Sequence, residues 1–382
     1  MSGATVIVRG KSPTTTDADG RFAVADVEAP YDISVLQSVG QSAYVTAYTG
    51  LRRADPRLYA SGPVRGRQHV ASVSGELRGS ADFPSPVSGN RSTFVAFTSP
   101  DRGRGQARPY ARPYSVGVGW DGPDTTTGTL HALQWDGIGR KTFVGYGRRD
   151  DVLVARDNTA TMKDIVLSPV PTRQLSGTIN LPAGFRVDRT ALELMLDEDP
   201  VFLSGESGHT TAFVYDTPAF PGASFRATVL ALAPGQGQWE LRSTLLAKGG
   251  LGASSTVTFD FVEPPTQLMP VDAASGIDLA SQDFSWSPMG AAGVYILWVK
   301  IDHRIHVSVF TEGTSARLPS TAELGLGTIA SGLNATWGVT GGLGAARTVE
   351  AMVATDHPYA ALTTDGADVR IAQCSSRDFT TK

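Results

Sequence analysis

Tyr114-Ser115-Val116-Gly117-Val118-Gly119-Trp120 sets a bulky apolar side chain at alternate positions with small residues between them. After Asp121-Gly122, a second run follows: Thr129-Leu130-His131-Ala132-Leu133-Gln134-Trp135. A period of two sends successive side chains to opposite faces, which is the pattern of a β-strand with one face in a core. Runs of the same kind recur at 4–8, 31–36, 93–98, 225–232 and 256–262, bounded by Gly, Pro, Asp and Ser clusters. Each has the length of a common strand, ~5–8 residues. No stretch of a dozen residues carries the i, i+3, i+4 spacing of an amphipathic helix. The chain is therefore expected to be all-β, built of tandem antiparallel β-sandwich units.

Composition agrees. The 382 residues include 42 Gly and 23 Pro, and only 18% are charged, against a usual ~25%. Such a chain is rich in turns and poor in helix-forming surface. A formal net charge of −4 argues against a broad nucleic-acid interface, which needs a basic surface to displace counterions. The longest strongly apolar run, 291–299, is far short of the ~20 residues that span a bilayer. A single cysteine, Cys374, excludes an intrachain disulfide framework and leaves the redox compartment open.

The pattern divides the chain into a first unit at 1–50, an Arg/Gly/Pro-rich linker at 51–69, a sandwich repeat at 70–170, a second repeat at 171–263 and a last unit at 264–382. The first unit runs Gly3-Ala4-Thr5-Val6-Ile7-Val8, then Thr16-Asp17-Ala18-Asp19-Gly20-Arg21-Phe22, then Pro30-Tyr31-Asp32-Ile33. This grammar resembles carboxypeptidase regulatory-like domains, which are small transthyretin-like sandwiches. Against that pattern the strand before Ser2-Gly3 is missing, so the edge at 1–8 is expected to be open to pairing with another chain, and upstream residues, an export signal among them, are expected to have been removed. The two repeats align at their openings, Val73-Ser74-Gly75-Glu76-Leu77 against Leu175-Ser176-Gly177-Thr178-Ile179. They resemble no family by motif. In the last unit Phe284-Ser285-Trp286-Ser287-Pro288 precedes Tyr295-Ile296-Leu297-Trp298-Val299, and this resembles a fibronectin type III-like module. The resemblance implies that Trp286 packs between two sheets and that the module serves interaction or spacing.

The search for chemistry gives little. Gly205-Glu206-Ser207-Gly208-His209 has the look of a serine nucleophile loop without triad partners, and a surface loop is the plainer reading. His303 and His306 fall three apart on a strand, so their rings point to opposite faces and cannot share one ion. Asp17 and Asp19 read as a hairpin turn. Asp197-Glu198-Asp199 is the best candidate for a structural calcium, against the default of solvated charge at a strand end. No other cofactor is expected.

The sharpest anomaly is basic. Between Arg52 and Arg112 there are eleven arginines and four acids. Within that span Arg102, Arg104, Arg108 and Arg112 sit beside Tyr110 on one Gly-rich loop. Guanidinium forks bind carboxylate, phosphate or sulfate, so an anionic polysaccharide or acidic partner fits. The competing reading is a solvated loop in a chain that uses 27 Arg to 6 Lys. Trp120 and Trp135, each followed by Asp-Gly, would complete a carbohydrate platform if both rings reached one sheet edge; core capping is the alternative. The function that follows is a non-catalytic binding or spacer protein, expected to be bacterial and extracytoplasmic: periplasmic, outer-membrane-associated or secreted. Its partner would be a protein or polysaccharide of the cell envelope, and an upstream lipid anchor, as in a lipoprotein, suits it. The alternatives are a carbohydrate-binding module and an accessory part of an exported enzyme.

Overall fold

The computed structural model describes residues 2–60, 69–79, 91–101, 103–137, 140–197, 199–208, 210–233, 243–290, 293–356, 358–363 and 368–382. The first segment holds β1 (Thr5–Val8), β2 (Thr14–Thr15), β3 (Tyr31–Val39) and β4 (Ser42–Leu51). The second holds β5 (His69–Gly79), β6 (Arg91–Thr98), β7 (Arg104–Ala107), β8 (Pro113–Trp120), β9 (Thr125–Asp136), β10 (Thr142–Ala155), β11 (Thr159–Ala160) and β12 (Ile165–Leu167). The third holds β13 (Thr172–Asn180), β14 (Arg186–Leu196), β15 (Asp199–Ser207), β16 (Ala212–Pro218), β17 (Ser224–Leu232), β18 (Ser243–Leu251) and β19 (Thr256–Asp260). The last holds β20 (Gln267–Met269), β21 (Ala274–Ile277), β22 (Phe284–Trp286), β23 (Val294–Ile301), β24 (Ile305–Thr311), β25 (Ser315–Ala316), β26 (Asn334–Leu343), the short helices α1 (Val349–Met352) and α2 (Pro358–Thr363), then β27 (Asp368–Gln373) and β28 (Arg377–Thr381). The chain is all-β, as its alternation predicts.

The second and third units pair their strands alike. In the second, β5 lies between antiparallel β8 and parallel β12, while β6 lies between β7 and β9, and β9 continues to β10. In the third, β13 lies between antiparallel β16 and parallel β19, while β14 lies between β15 and β17, and β17 continues to β18. The second unit also closes on itself, because Tyr146 of β10 and Ser168 just beyond β12 exchange both backbone hydrogen bonds at 2.9 Å. Gly147 permits this approach: a Cβ there would lie 2.4 Å from the Val166 carbonyl oxygen.

The expectation of self-contained units gives way at both ends of the chain. β4 runs parallel to β24 with Ala43 opposite Ile305 and Tyr48 opposite Phe310, so the 1–50 unit is no separate sandwich. It widens the last module's sheet, and β18 joins that same sheet through β27. One continuous sheet follows, in the order β15-β14-β17-β18-β27-β26-β23-β24-β4-β3-β1-β2. The open edge expected at 1–8 is covered in part. β1 pairs with β3 on one side, and on the other β2 covers Thr5 and Val6. The Asp17 turn forms as read, its Oδ1 accepting from the Asp19 and Arg21 amides at 2.9 and 2.8 Å, yet residues 21–30 form no strand.

The cores explain these mergers. Ile7, Val45 and Ala47 from the first segment pack with Trp286, Leu297, Val309 and Trp337 of the last. On the opposite face of the same sheet, Val6, Ile33, Val35 and Tyr48 pack with Ile296, Phe310 and the helix residues Val349 and Met352. Each large apolar side chain fully buried is worth ~1.5–3 kcal/mol, so a handful shared across 250 residues of sequence outweighs loop closure, which grows only with the logarithm of length. β6 and β9 are likewise buried on both faces. Val95, Phe97, Leu130 and Ala132 face the second unit's interior, whereas Phe94, Ala96, Leu133 and Trp135 enter the core of the third.

Candidate functional site

The structure separates the two tryptophans proposed as a platform. Trp120 ends β8 with its ring inside the second unit, 0% exposed, and its Nε1 donates to the Pro123 carbonyl at 2.8 Å. Trp135 lies on the other side of the same sheet, 8% exposed in the core shared with the third unit, with Phe143 beside it and the Lys141 ammonium 5.5 Å from its ring. No sugar can stack on either ring, so the platform is corrected to two core residues. Parity decides it: Trp120 keeps step with Val116 and Val118, while Trp135 keeps step with Leu133 on a strand whose two faces are both buried.

The acidic run and the basic loop, read as independent candidates, meet each other. Asp197 turns the chain between β14 and β15 at φ 47°. Its Oδ2 accepts from the Thr98 hydroxyl at 3.1 Å and from His131 Nε2 at 3.0 Å, and Arg148 lies 3.8 Å from its other oxygen. Asp199 pairs with Arg104. Because these carboxylates already face two guanidiniums and an imidazole, the calcium reading is corrected to an ion-pair cluster; a hard cation needs six to eight oxygens. Among the described residues no three His, Cys, Asp or Glu side chains stand where they could hold a metal. Glu198 lies outside the described residues, as do Arg102 and His209.

His131 is the hub of this cluster. A carboxylate only accepts, so Nε2 carries the proton toward Asp197 and Nδ1 accepts from the Tyr146 hydroxyl at 2.9 Å. Burial lowers the His131 pKa against the pull of Asp197, and burial pushes Tyr146 up to about 12. A Tyr-His-Asp line has the outline of a proton relay. Here, however, Tyr146 is stacked on Phe220 at 3.7 Å and is less acidic than a free phenol, the reverse of an activated nucleophile. The cluster fastens the second unit (Thr98, Arg104, His131, Tyr146) to the third (Asp197, Asp199, Phe220), and Lys141 adds a bond from its ammonium to the Leu203 carbonyl.

What remains of the basic loop faces water. Arg108, Tyr110 and Arg112 lie on the connection from β7 to β8, all exposed, and Tyr110 reaches 91%. A larger concavity than any at this loop lies in the first segment. Residues 20–29 and 52–60 arch over the face of β1 and β3 and leave a cleft of about 860 Å³. Its floor is Val6, Val8, Ile33 and Val35, with Phe22 and Val24 above. Sequence reasoning missed it because the floor residues read simply as core and Phe22-Ala23-Val24 reads as a strand.

No family model matches the chain, and no curated protein does. Among solved structures, the Bacillus anthracis TIE protein aligns over 88% of this chain and 60% of its own length, at 8% identity and a TM-score of 0.16. The pilus adhesin SpaC from Lactobacillus rhamnosus GG aligns over 88% of this chain and 47% of its own, at 9% identity and 0.18. A leucine-rich repeat protein from Bacteroides thetaiotaomicron aligns over 51% of this chain and 26% of its own, at 12% identity and 0.17. At these TM-scores the likenesses carry no argument, and the functional reading rests on the chain itself. No helix among the described residues is long and apolar enough to cross a membrane.

Proposed function

We propose that this chain is a non-catalytic binding or spacer protein acting outside the bacterial cytoplasm, in the cell envelope or the secreted fraction. The observation that carries the reading is topological. The first and last segments close into one module through β4 and β24, and the second and third units form an insertion welded back to that module through β18 and β27. A base of this kind holds the inserted units in one attitude, and a preorganised surface loses less entropy on meeting a partner than a hinged one. His131, Tyr146 and the Arg104–Asp199 pair fasten the second unit to the third, which suits a scaffold.

A second reading is favoured by one specific observation. Tyr110, the most exposed large hydrophobic side chain among the described residues, stands between exposed Arg108 and Arg112 on the inserted part. A flat phenol flanked by guanidiniums suits an anionic polysaccharide. The test is a glycan array at two ionic strengths with the wild type, Tyr110→Ala and the Arg108→Ser/Arg112→Ser double variant. Anionic-glycan binding that weakens with salt and disappears in both variants is the expected result. Glycan binding indifferent to both variants counts against the loop, and recovery of the native protein solely from the cytosol counts against the extracytoplasmic reading.

A further inference from the structure

We propose that the cleft roofed by residues 20–29 is a binding site for a small, uncharged, lipophilic molecule. The inference is independent of the Tyr110 loop and of the envelope reading. The cleft, open to solvent on one side, measures about 860 Å³, within the ~300–1,000 Å³ typical of small-molecule sites.

Its chemistry is set by what lines it. Val6, Val8, Ile33 and Val35 form the floor and Phe22 and Val24 the roof. Two of the polar side chains that line it are already engaged. Thr16 Oγ1 accepts from the Ala4 amide at 2.9 Å, and the Tyr31 hydroxyl donates to the Arg53 carbonyl. A polar group that reached the apolar floor would lose its water without replacement there. At the mouth, Arg21, Arg52 and Arg57 are balanced by Asp26, Asp55 and Asp356, and Arg57 is paired with Asp356. The rim therefore selects neither anion nor cation. The roof belongs to no strand, which gives a ligand a way in without breaking the sheet.

The test is a fluorescence titration of the full chain with the neutral probe N-phenyl-1-naphthylamine, with 1-decanol and decanoate as competitors. Ala23 and Ala54 line the cleft and are exposed, so Ala23→Trp and Ala54→Trp fill it from the roof side. Phe202→Ser, on the outer face of β15, controls for adsorption to the exposed sheet face. Expected are saturable one-to-one binding, displacement by decanol at least tenfold better than by decanoate, and affinity at least tenfold weaker in either tryptophan variant with unchanged circular dichroism. Phe202→Ser should bind as the wild type does. The proposal is overturned if binding is not saturable, if both tryptophan variants bind normally, if decanoate competes as well as decanol, or if Phe202→Ser alone abolishes binding. Should one tryptophan variant fail to fold, the other gives the same reading.

Discussion

Trp120 contributes its whole indole to the second unit's core and its one polar atom to the Pro123 carbonyl. Trp120→Ala should cost about 3–5 kcal/mol in denaturant unfolding, the usual range for a large aromatic removed from a core. Glycan binding by the protein that remains folded should be unaffected; a loss of binding at full stability would restore the ring to a site. His131 gives the pH counterpart. Its folded pKa lies below the ordinary 6.5 because of burial, so the unfolded chain takes up the proton first. The stability it contributes is complete above pH 6.5 and is lost as pH falls from there toward the folded value. Asp197, Arg148, Asp150 and Tyr146 surround the ring, and Asp150 and Arg148 hold each other in their charged forms. His131→Gln should thus lower stability at pH 7.5 while flattening its fall between pH 7 and 5. An unchanged slope in the variant would show that the histidine does not titrate on unfolding.

At the scale of the element, the closing of the second unit is a claim about two strands meeting at a glycine. A Cβ at Gly147 would press on the Val166 carbonyl at 2.4 Å, whereas one at Gly117 on β8 would meet nothing within 4 Å. Gly147→Ala should destabilise by about 1–3 kcal/mol, as overpacking does. Gly117→Ala should be neutral or slightly stabilising, since an alanine restricts the unfolded chain. Equal thermal midpoints for the two variants would mean that β10 and β12 do not close the unit. The sequence carries the alternation of β8 plainly, and it carries the matching openings of β5 and β13. It carries β9 and β6 as strands too, but not that each is buried on both faces, because a one-faced pattern does not say what covers the other side.

Over the whole molecule, the parallel pairing of β4 with β24 makes the first and last segments one cooperative body. Val45 is fully buried in the same core as Trp286 and Trp337. Val45→Asp should therefore red-shift tryptophan emission and release the amides of β24 to hydrogen exchange along with those of β4, although more than 200 residues of sequence lie between them. If β4 exchanged freely while β24 kept its protection, the two would be separate bodies.

Alternation of side chains and the density of Gly and Pro were sufficient for the all-β class and for the Asp17 turn, because each depends on neighbours within a few residues; the burial of Trp286 was an expectation of the fibronectin type III-like resemblance. Tertiary structure alone decided which strands share a sheet, that the arginine loop and the acidic run meet at Arg104 and Asp199, and that Trp120 and Trp135 are buried on opposite faces. The cleft over β1 and β3 belongs to the same class. The reason is physical: local sequence fixes backbone shape and which side of a strand is apolar, while the identity of the surface that covers that side is set by packing between segments far apart in the chain.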